Sequence, residues 1–162
     1  MTPSKSLFPA LFVNHGGGPL PLLGRQPDIA KHLQDVVKKW IPKPPRAIVV
    51  VSAHWESDPI KITSSSSPSL LFDYYGFPAE TYEYKYPAKG DTKLASTIQS
   101  LLQTEGLESE LDNKRGLDHG VFVPLLLMYP KVRFLCGGML MGNSFWCITH
   151  SCYPTQILHP VL

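Results

Sequence analysis

The stretch Ile48-Val49-Val50-Val51-Ser52-Ala53-His54-Trp55-Glu56 is a β-branched run that stops at an imidazole. Four consecutive Ile and Val side chains leave neither face polar, the pattern of a strand buried on both sides of a sheet. A strand over 47–52 is therefore expected to be central. In such sheets ligands gather beyond the carboxyl ends of the strands. A second run of the same design lies upstream, Ala10-Leu11-Phe12-Val13-Asn14-His15, followed by Gly16-Gly17-Gly18. If the two strands are parallel neighbours, His15 and His54 converge on one crevice.

Working outward, a first strand is expected over 9–14 and a Gly- and Pro-rich loop over 16–26. A helix opens at Pro27-Asp28, with Ile29, Leu33, Val36, Val37 and Trp40 on one face. The proline-rich residues 42–45 end it. Residues 60–63 alternate as a third strand, and the serines at 64–67 form a loop. Residues 72–87 are dense in Phe and Tyr but broken by Gly76, Pro78 and Pro87. Those rings either cover the core or make a wall for a flat ligand; composition favours the first. A second helix over 91–105 turns Leu94, Ile98, Leu101 and Leu102 inward and stops at Gly106. A strand over 107–111 follows. Asp118 is placed to cap a short helix over 121–128, with Pro124 near its first turn. Residues 132–136 begin another strand. This order predicts an α/β fold, a three-layer sandwich with a largely parallel or mixed central sheet flanked by helices.

The 162 residues suit one domain with a real core. Hydrophobic residues make up 43% and charged residues 17%, which is globular. A net charge of +2, without a Lys/Arg cluster, gives no reason to expect nucleic acid or an acidic membrane surface as partner. Neither a secretory signal nor a membrane-length apolar run is recognisable, so a cytoplasmic protein is expected. The three cysteines, Cys136, Cys147 and Cys152, do not suggest a disulfide framework. Cys147, His150 and Cys152 match no common zinc spacing.

Neutral imidazole is a good ligand for Zn(II) and Fe(II). A lone histidine at a strand end suits a hydrogen-bonded structural role as well. Two with similar flanks make a metal site an equal reading. His-Gly-Gly-Gly also resembles an oxyanion loop of esterases, but the Gly-x-Ser-x-Gly elbow which that fold needs is missing from the sequence. The glycines after His15 instead serve a tight turn or a close backbone approach. His119, in Arg115-Gly116-Leu117-Asp118-His119-Gly120, is a third candidate, either a proton-transfer group in the same crevice or an exposed imidazole beside a helix cap. His32 is expected to face solvent.

Several segments together resemble one family. Phe12-Val13-Asn14-His15-Gly16, Val51-Ser52-Ala53-His54-Trp55-Glu56, Phe72-Asp73-Tyr74-Tyr75-Gly76-Phe77-Pro78, residues 82–87 and Gly116-Leu117-Asp118-His119-Gly120 with Val123-Pro124-Leu125 are similar to the class III extradiol ring-cleavage dioxygenases, in their 4,5-DOPA extradiol dioxygenase branch (LigB-like). The resemblance runs from about residue 9 to 133. It implies a non-haem metal, Fe(II) for catalysis or Zn(II) in the same site. His15 and His54 match two metal ligands of the family, and His119 matches a histidine near the pocket that acts in acid/base chemistry or beside the ligands. It also implies a catechol, DOPA-like or phenylpropanoid, and O2 as the partners, with the ring opened outside the diol.

The match fades at about Phe134, where composition changes. Residues 134–162 contain no Asp, Glu, Lys or Arg, yet hold all three cysteines. The family domain is therefore expected over 1–133, incomplete at its C-terminus, and 134–162 as an atypical tail with an alternative origin. Family members carry a further metal ligand beyond this point, so a catalytically impaired isoform with a binding or regulatory role is the alternative to an active enzyme.

Overall fold

In the computed structural model of the protein, the described residues are 9–41, 43–131, 135–141 and 157–158, the last two segments as backbone. The β-branched run continues past its apolar part: strand β2 covers Ala47–Glu56 and carries His54 near its end. The run that leads to His15 is regular only at β1, Ala10–Leu11, which pairs antiparallel with β7, Ile157–Leu158. The expected six-residue strand is thus mostly irregular chain, and it does not pair with β2 among the described residues.

The main sheet also contains β3 (Ile60–Thr63), β4 (Lys89–Gly90), β5 (Ser109–Asp112) and β6 (Leu135–Met141). Its order is β2-β6-β3-β5, with β4 also on β6. β6 runs parallel to β2 and β4, β3 parallel to β5, and β3 antiparallel to β6. The sheet is mixed, as expected. β2 is not central: it lies at one end of this order. Val49 and Val51 are 45% and 49% exposed, so an apolar run on both faces marked a strand with one face uncovered. The uncharged stretch enters the sheet at β6; the rest of 134–162, including Cys147, His150, Cys152 and His159, lies outside the described residues apart from β7.

Helix α1, Pro27–Trp40, has Pro27 at its first position, Asp28 in its first turn and Lys38 and Lys39 in its last, each suited to the backbone dipole. It buries Leu33 and Val36 and leaves His32 exposed, as its periodicity implies, but Trp40, expected on the same face, is 39% exposed at the helix end. Helix α2, Thr92–Thr104, is capped by Asp91, whose carboxylate accepts the Leu94 N–H at 3.0 Å. Such a cap is worth about 1 kcal/mol. Gly106, at φ +75°, closes its far end. Leu101, expected inward, is 63% exposed; Ala95 takes the buried position instead.

Helix α3, His119–Met128, starts two residues earlier than its pattern suggested. Its apolar residues are not confined to one stripe, and Val121, Phe122, Val123, Pro124 and Leu125 are all buried, the mark of a core helix. Phe122 sits among Tyr74, Tyr86, Ala88 and Leu117. Burying such a ring stabilises by about 2–3 kcal/mol. The aromatic loop therefore does mostly what its composition favoured, covering the core with Tyr74 and Tyr86. Helix α3 rests on β2 and against α1, while α2 lies along β5 and β3.

Candidate metal centre

Three elements bring one histidine each to a single point. His15 comes from the loop after β1, His54 from the end of β2 and His119 from the first position of α3. The ring centres of His15 and His54 are 4.8 Å apart, those of His15 and His119 5.0 Å, and those of His54 and His119 4.1 Å. One ring nitrogen from each lies within 4.8 Å of the other two. The two strand-end histidines thus converge, although their strands are not paired neighbours.

Each imidazole is held by its own local chemistry. After His15 the chain folds back on itself. The Gly16 N–H donates to Asn14 Oδ1 at 2.8 Å and the Gly17 N–H to Gln26 Oε1 at 2.9 Å. Gly16 has φ +79°, and a Cβ there would lie 2.4 Å from Gln26 Oε1, so the turn requires glycine. With both amides used inside the turn, it offers no oxyanion pair. The glycines make the tight turn.

His54 is gripped from α3. Its N–H donates to Ser52 Oγ at 3.2 Å, and Ser52 Oγ donates to Asp118 Oδ1 at 2.8 Å. Arg115 Nη2 donates to the His54 carbonyl at 3.0 Å and reaches Asp118 Oδ2 at 3.4 Å, while its guanidinium lies 4.6 Å from the Trp55 ring centre. Gly120 faces the imidazole directly: a Cβ would approach His54 Cδ2 to 2.7 Å. Asp118 does occupy the N-cap position, but its side chain makes no cap hydrogen bond. It is spent on Ser52 and Arg115 instead, so it braces the site rather than the helix end.

His119 is only 7% exposed, which removes the exposed-imidazole reading. Asp73 Oδ1 accepts two hydrogen bonds from it, from the backbone N–H at 2.9 Å and from Nδ1 at 2.8 Å. Tyr74 stands edge-on to the ring, 5.9 Å between centres. Neither Asp73 nor Arg115 stood out as a functional residue in the sequence, because their contacts span 46 and 61 residues. The one signal was that both lie inside family-like segments.

The electrostatics suit a cation. Burial, helped by the nearby His119 and His54, pushes the His15 imidazole down to about 4. Burial and His119 lower His54 as well. Both rings are then neutral at pH 7 and present lone pairs, the form that ligates. His15 Nε2 and His54 Nε2 lie 2.9 Å apart, and His15 Nδ1 is buried without a hydrogen-bond partner. In the metal-free chain one of these Nε2 atoms must donate to the other, whereas a divalent ion among the three nitrogens accepts a lone pair from each. Burial alone would raise the Asp73 carboxyl, but the hydrogen bonds from His119 outweigh it and hold it at about 2. Asp73 therefore supplies a fixed negative charge behind the cluster.

With this geometry established, comparison with known proteins is decisive. The family described as the catalytic LigB subunit of aromatic ring-opening dioxygenase matches residues 9–139. The chain belongs to the LigB family. It is 43% identical over 133 residues to Dioxygenase tasH of Hapsidospora irregularis, covering 77% of this chain and 41% of that protein. It is 42% identical over 121 residues to the 4,5-DOPA dioxygenase extradiol of Beta vulgaris, covering 74% of this chain and 45% of that one. To the Escherichia coli (strain K12) protein of the same name it is 35% identical over 128 residues, 78% and 45% of the respective chains. Among solved structures, an uncharacterized protein from Escherichia coli K12 superposes with a TM-score of 0.52 at 28% identity, covering 68% of this chain and 39% of that one. The LigB-family chain thus spans less than half the length of these relatives.

Proposed function

We propose that this LigB-family chain holds a divalent non-haem metal and opens the ring of a catechol outside its diol with O2. The observation that carries the proposal is the convergence of His15, His54 and His119 from three separate elements. His15 and His54 are the ligands, neutral at physiological pH because burial disfavours their cations. Fe(II), or Zn(II) in the same site, suits these donors, and when bound the metal supplies open positions for a chelating diol and for O2. His119 is the proton acceptor for a catechol hydroxyl, since its Nδ1 is engaged by Asp73 and only Nε2 can accept. The names of the relatives make DOPA-like catechols the first substrates to try, with phenylpropanoid catechols next.

The span of at most 4.8 Å among the three nitrogens also favours a second arrangement, in which all three imidazoles ligate. His119→Ala separates the two: Zn(II) affinity is retained if His119 handles protons and falls sharply if it ligates. We extend the same reading to a sheet that forms the middle of three layers, supported by helices on both β2 and β5, and to a cytoplasmic location. No helix among the described residues is long and apolar enough to cross a membrane.

The test is anaerobic loading of the purified chain with Fe(II), followed by O2 uptake with L-DOPA and with caffeic acid. Stoichiometric metal and metal-dependent O2 consumption with a ring-opened product are expected. Failure to bind metal overturns the metal centre. Metal binding without O2 uptake overturns the enzyme reading alone and leaves a catalytically silent, ligand-binding chain.

A further inference from the structure

Among the described residues the Asp73 carboxylate pairs directly with the His119 imidazole, and its placement is not accidental to the fold. The chain just before it is clamped to the start of α3: the Leu71 N–H donates to the Leu117 carbonyl and the Leu117 N–H to the Ser69 carbonyl, both at 2.8 Å. Gly116 permits that clamp, because a Cβ there would stand 2.6 Å from the Ser69 carbonyl oxygen. Asp73 thereby meets His119 at two points through a single oxygen, at the backbone N–H and at Nδ1. A side chain held only by Nδ1 could swing about its Cα–Cβ bond. Fixing the backbone and the ring to the same oxygen removes that freedom.

A neutral imidazole has one donor and one acceptor nitrogen. A carboxylate can only accept, so a bond at 2.8 Å to Nδ1 requires the proton there and leaves Nε2 as the acceptor. His54, at 4.1 Å between ring centres, and His15, at 5.0 Å, crowd the same imidazole, and with Nδ1 engaged by Asp73 the nitrogen left to serve the cluster is Nε2. We propose that Asp73 is the positioning residue of the centre, selecting the Nδ1–H tautomer of His119 so that Nε2 faces His15 and His54. The inference rests on the metal-centre reading for its purpose, but its chemistry is a property of the metal-free chain. It applies whether Nε2 takes a proton or a metal, since either needs that lone pair.

The experiment is long-range proton–nitrogen correlation NMR on the 15N-labelled, metal-free chain at mildly alkaline pH. The His119 signals are assigned by their loss in His119→Gln. The wild-type chain is expected to show His119 protonated at Nδ1. In Asp73→Ala the ring, released from its acceptor, shifts toward the Nε2–H form that free imidazole side chains prefer. Asp73→Asn, which keeps an oxygen in place, retains the Nδ1–H form. A merely structural Asp73 would lower thermal stability in Asp73→Ala without moving the tautomer, and that result overturns the proposal. So does Nε2–H in the wild-type chain, a readout that depends on neither Asp73 variant. Zn(II) titration of the same wild-type sample tests the metal reading separately: no binding with an intact Nδ1–H tautomer sinks the metal centre and leaves the Asp73 assignment standing.

Discussion

At the scale of single residues, the site is built by contacts that leave no spare volume. Gly120 is the one that bears directly on His54. The first turn of α3 approaches β2 so closely that a methyl group there meets His54 Cδ2 at 2.7 Å, with Asp118 Oδ1 and Ser52 Oγ both at 3.2 Å. Gly120→Ala must therefore push the imidazole away or lift the helix. An overpacked site of this kind costs about 1–3 kcal/mol. The expected outcome is a chain that still folds, with a lower urea midpoint and weaker Zn(II) binding than wild type. Unchanged metal affinity would show that His54 can yield without leaving the cluster. The contrast with Gly24 is informative: a Cβ there meets nothing within 4 Å, although its φ of +70° still resists a side chain.

Among the elements, α3 is the one on which the site depends, and it is tied to β2 through Asp118. That carboxylate is 1% exposed and bridges Ser52 Oγ and Arg115 Nη2. Removing it strands a buried hydroxyl and leaves the guanidinium, whose side chain is 23% exposed, without its counter-charge. Asp118→Ala is expected to cost about 3 kcal/mol, the usual penalty for breaking one side of a buried ion pair. Asp118→Asn keeps the oxygen for Ser52 and should cost roughly half as much, nearer the penalty of a lost charge-assisted hydrogen bond. Chemical denaturation of both variants checks the ranking. The same residue shows where the sequence was readable. Helices α1 and α2 were legible because their signals are local: the Pro27-Asp28 opening and the Gly106 stop act within a few residues. His15, His54 and His119 were legible because each lies where a regular run meets a loop. The lateral use of Asp118, the Asp73 bond and the Arg115 brace were not, because each joins residues whose proximity only the folded chain creates. The position of β2 was misjudged for a related reason. Four β-branched residues report that both faces can be apolar, and they do not report what covers the second face.

For the molecule as a whole, His15 and His54 couple the stability of the metal-free chain to pH. His15 is held at about 4 in the fold, against an ordinary 6.5, first by burial and then by its two neighbouring imidazoles. His54 is lowered in the same sense. The unfolded chain therefore binds more protons than the folded one once the pH drops below about 6.5, and stability must fall with pH from there. The loss runs through the His15 window down to about 4, and a further loss follows between 3.8 and about 2 as the Asp73 carboxylate is protonated. Metal should deepen the contrast, since a bound divalent ion stabilises only the folded, deprotonated cluster. The measurement is the urea midpoint of the metal-free chain at about pH 7 and about pH 5, for wild type and for His15→Gln. Wild type is expected to lose stability over this interval, and His15→Gln to lose distinctly less, with the residual slope left by His54. Equal slopes for the two proteins would mean that His15 titrates in the fold as it does in water, and that the buried, neutral cluster which makes these imidazoles fit to hold a metal does not form.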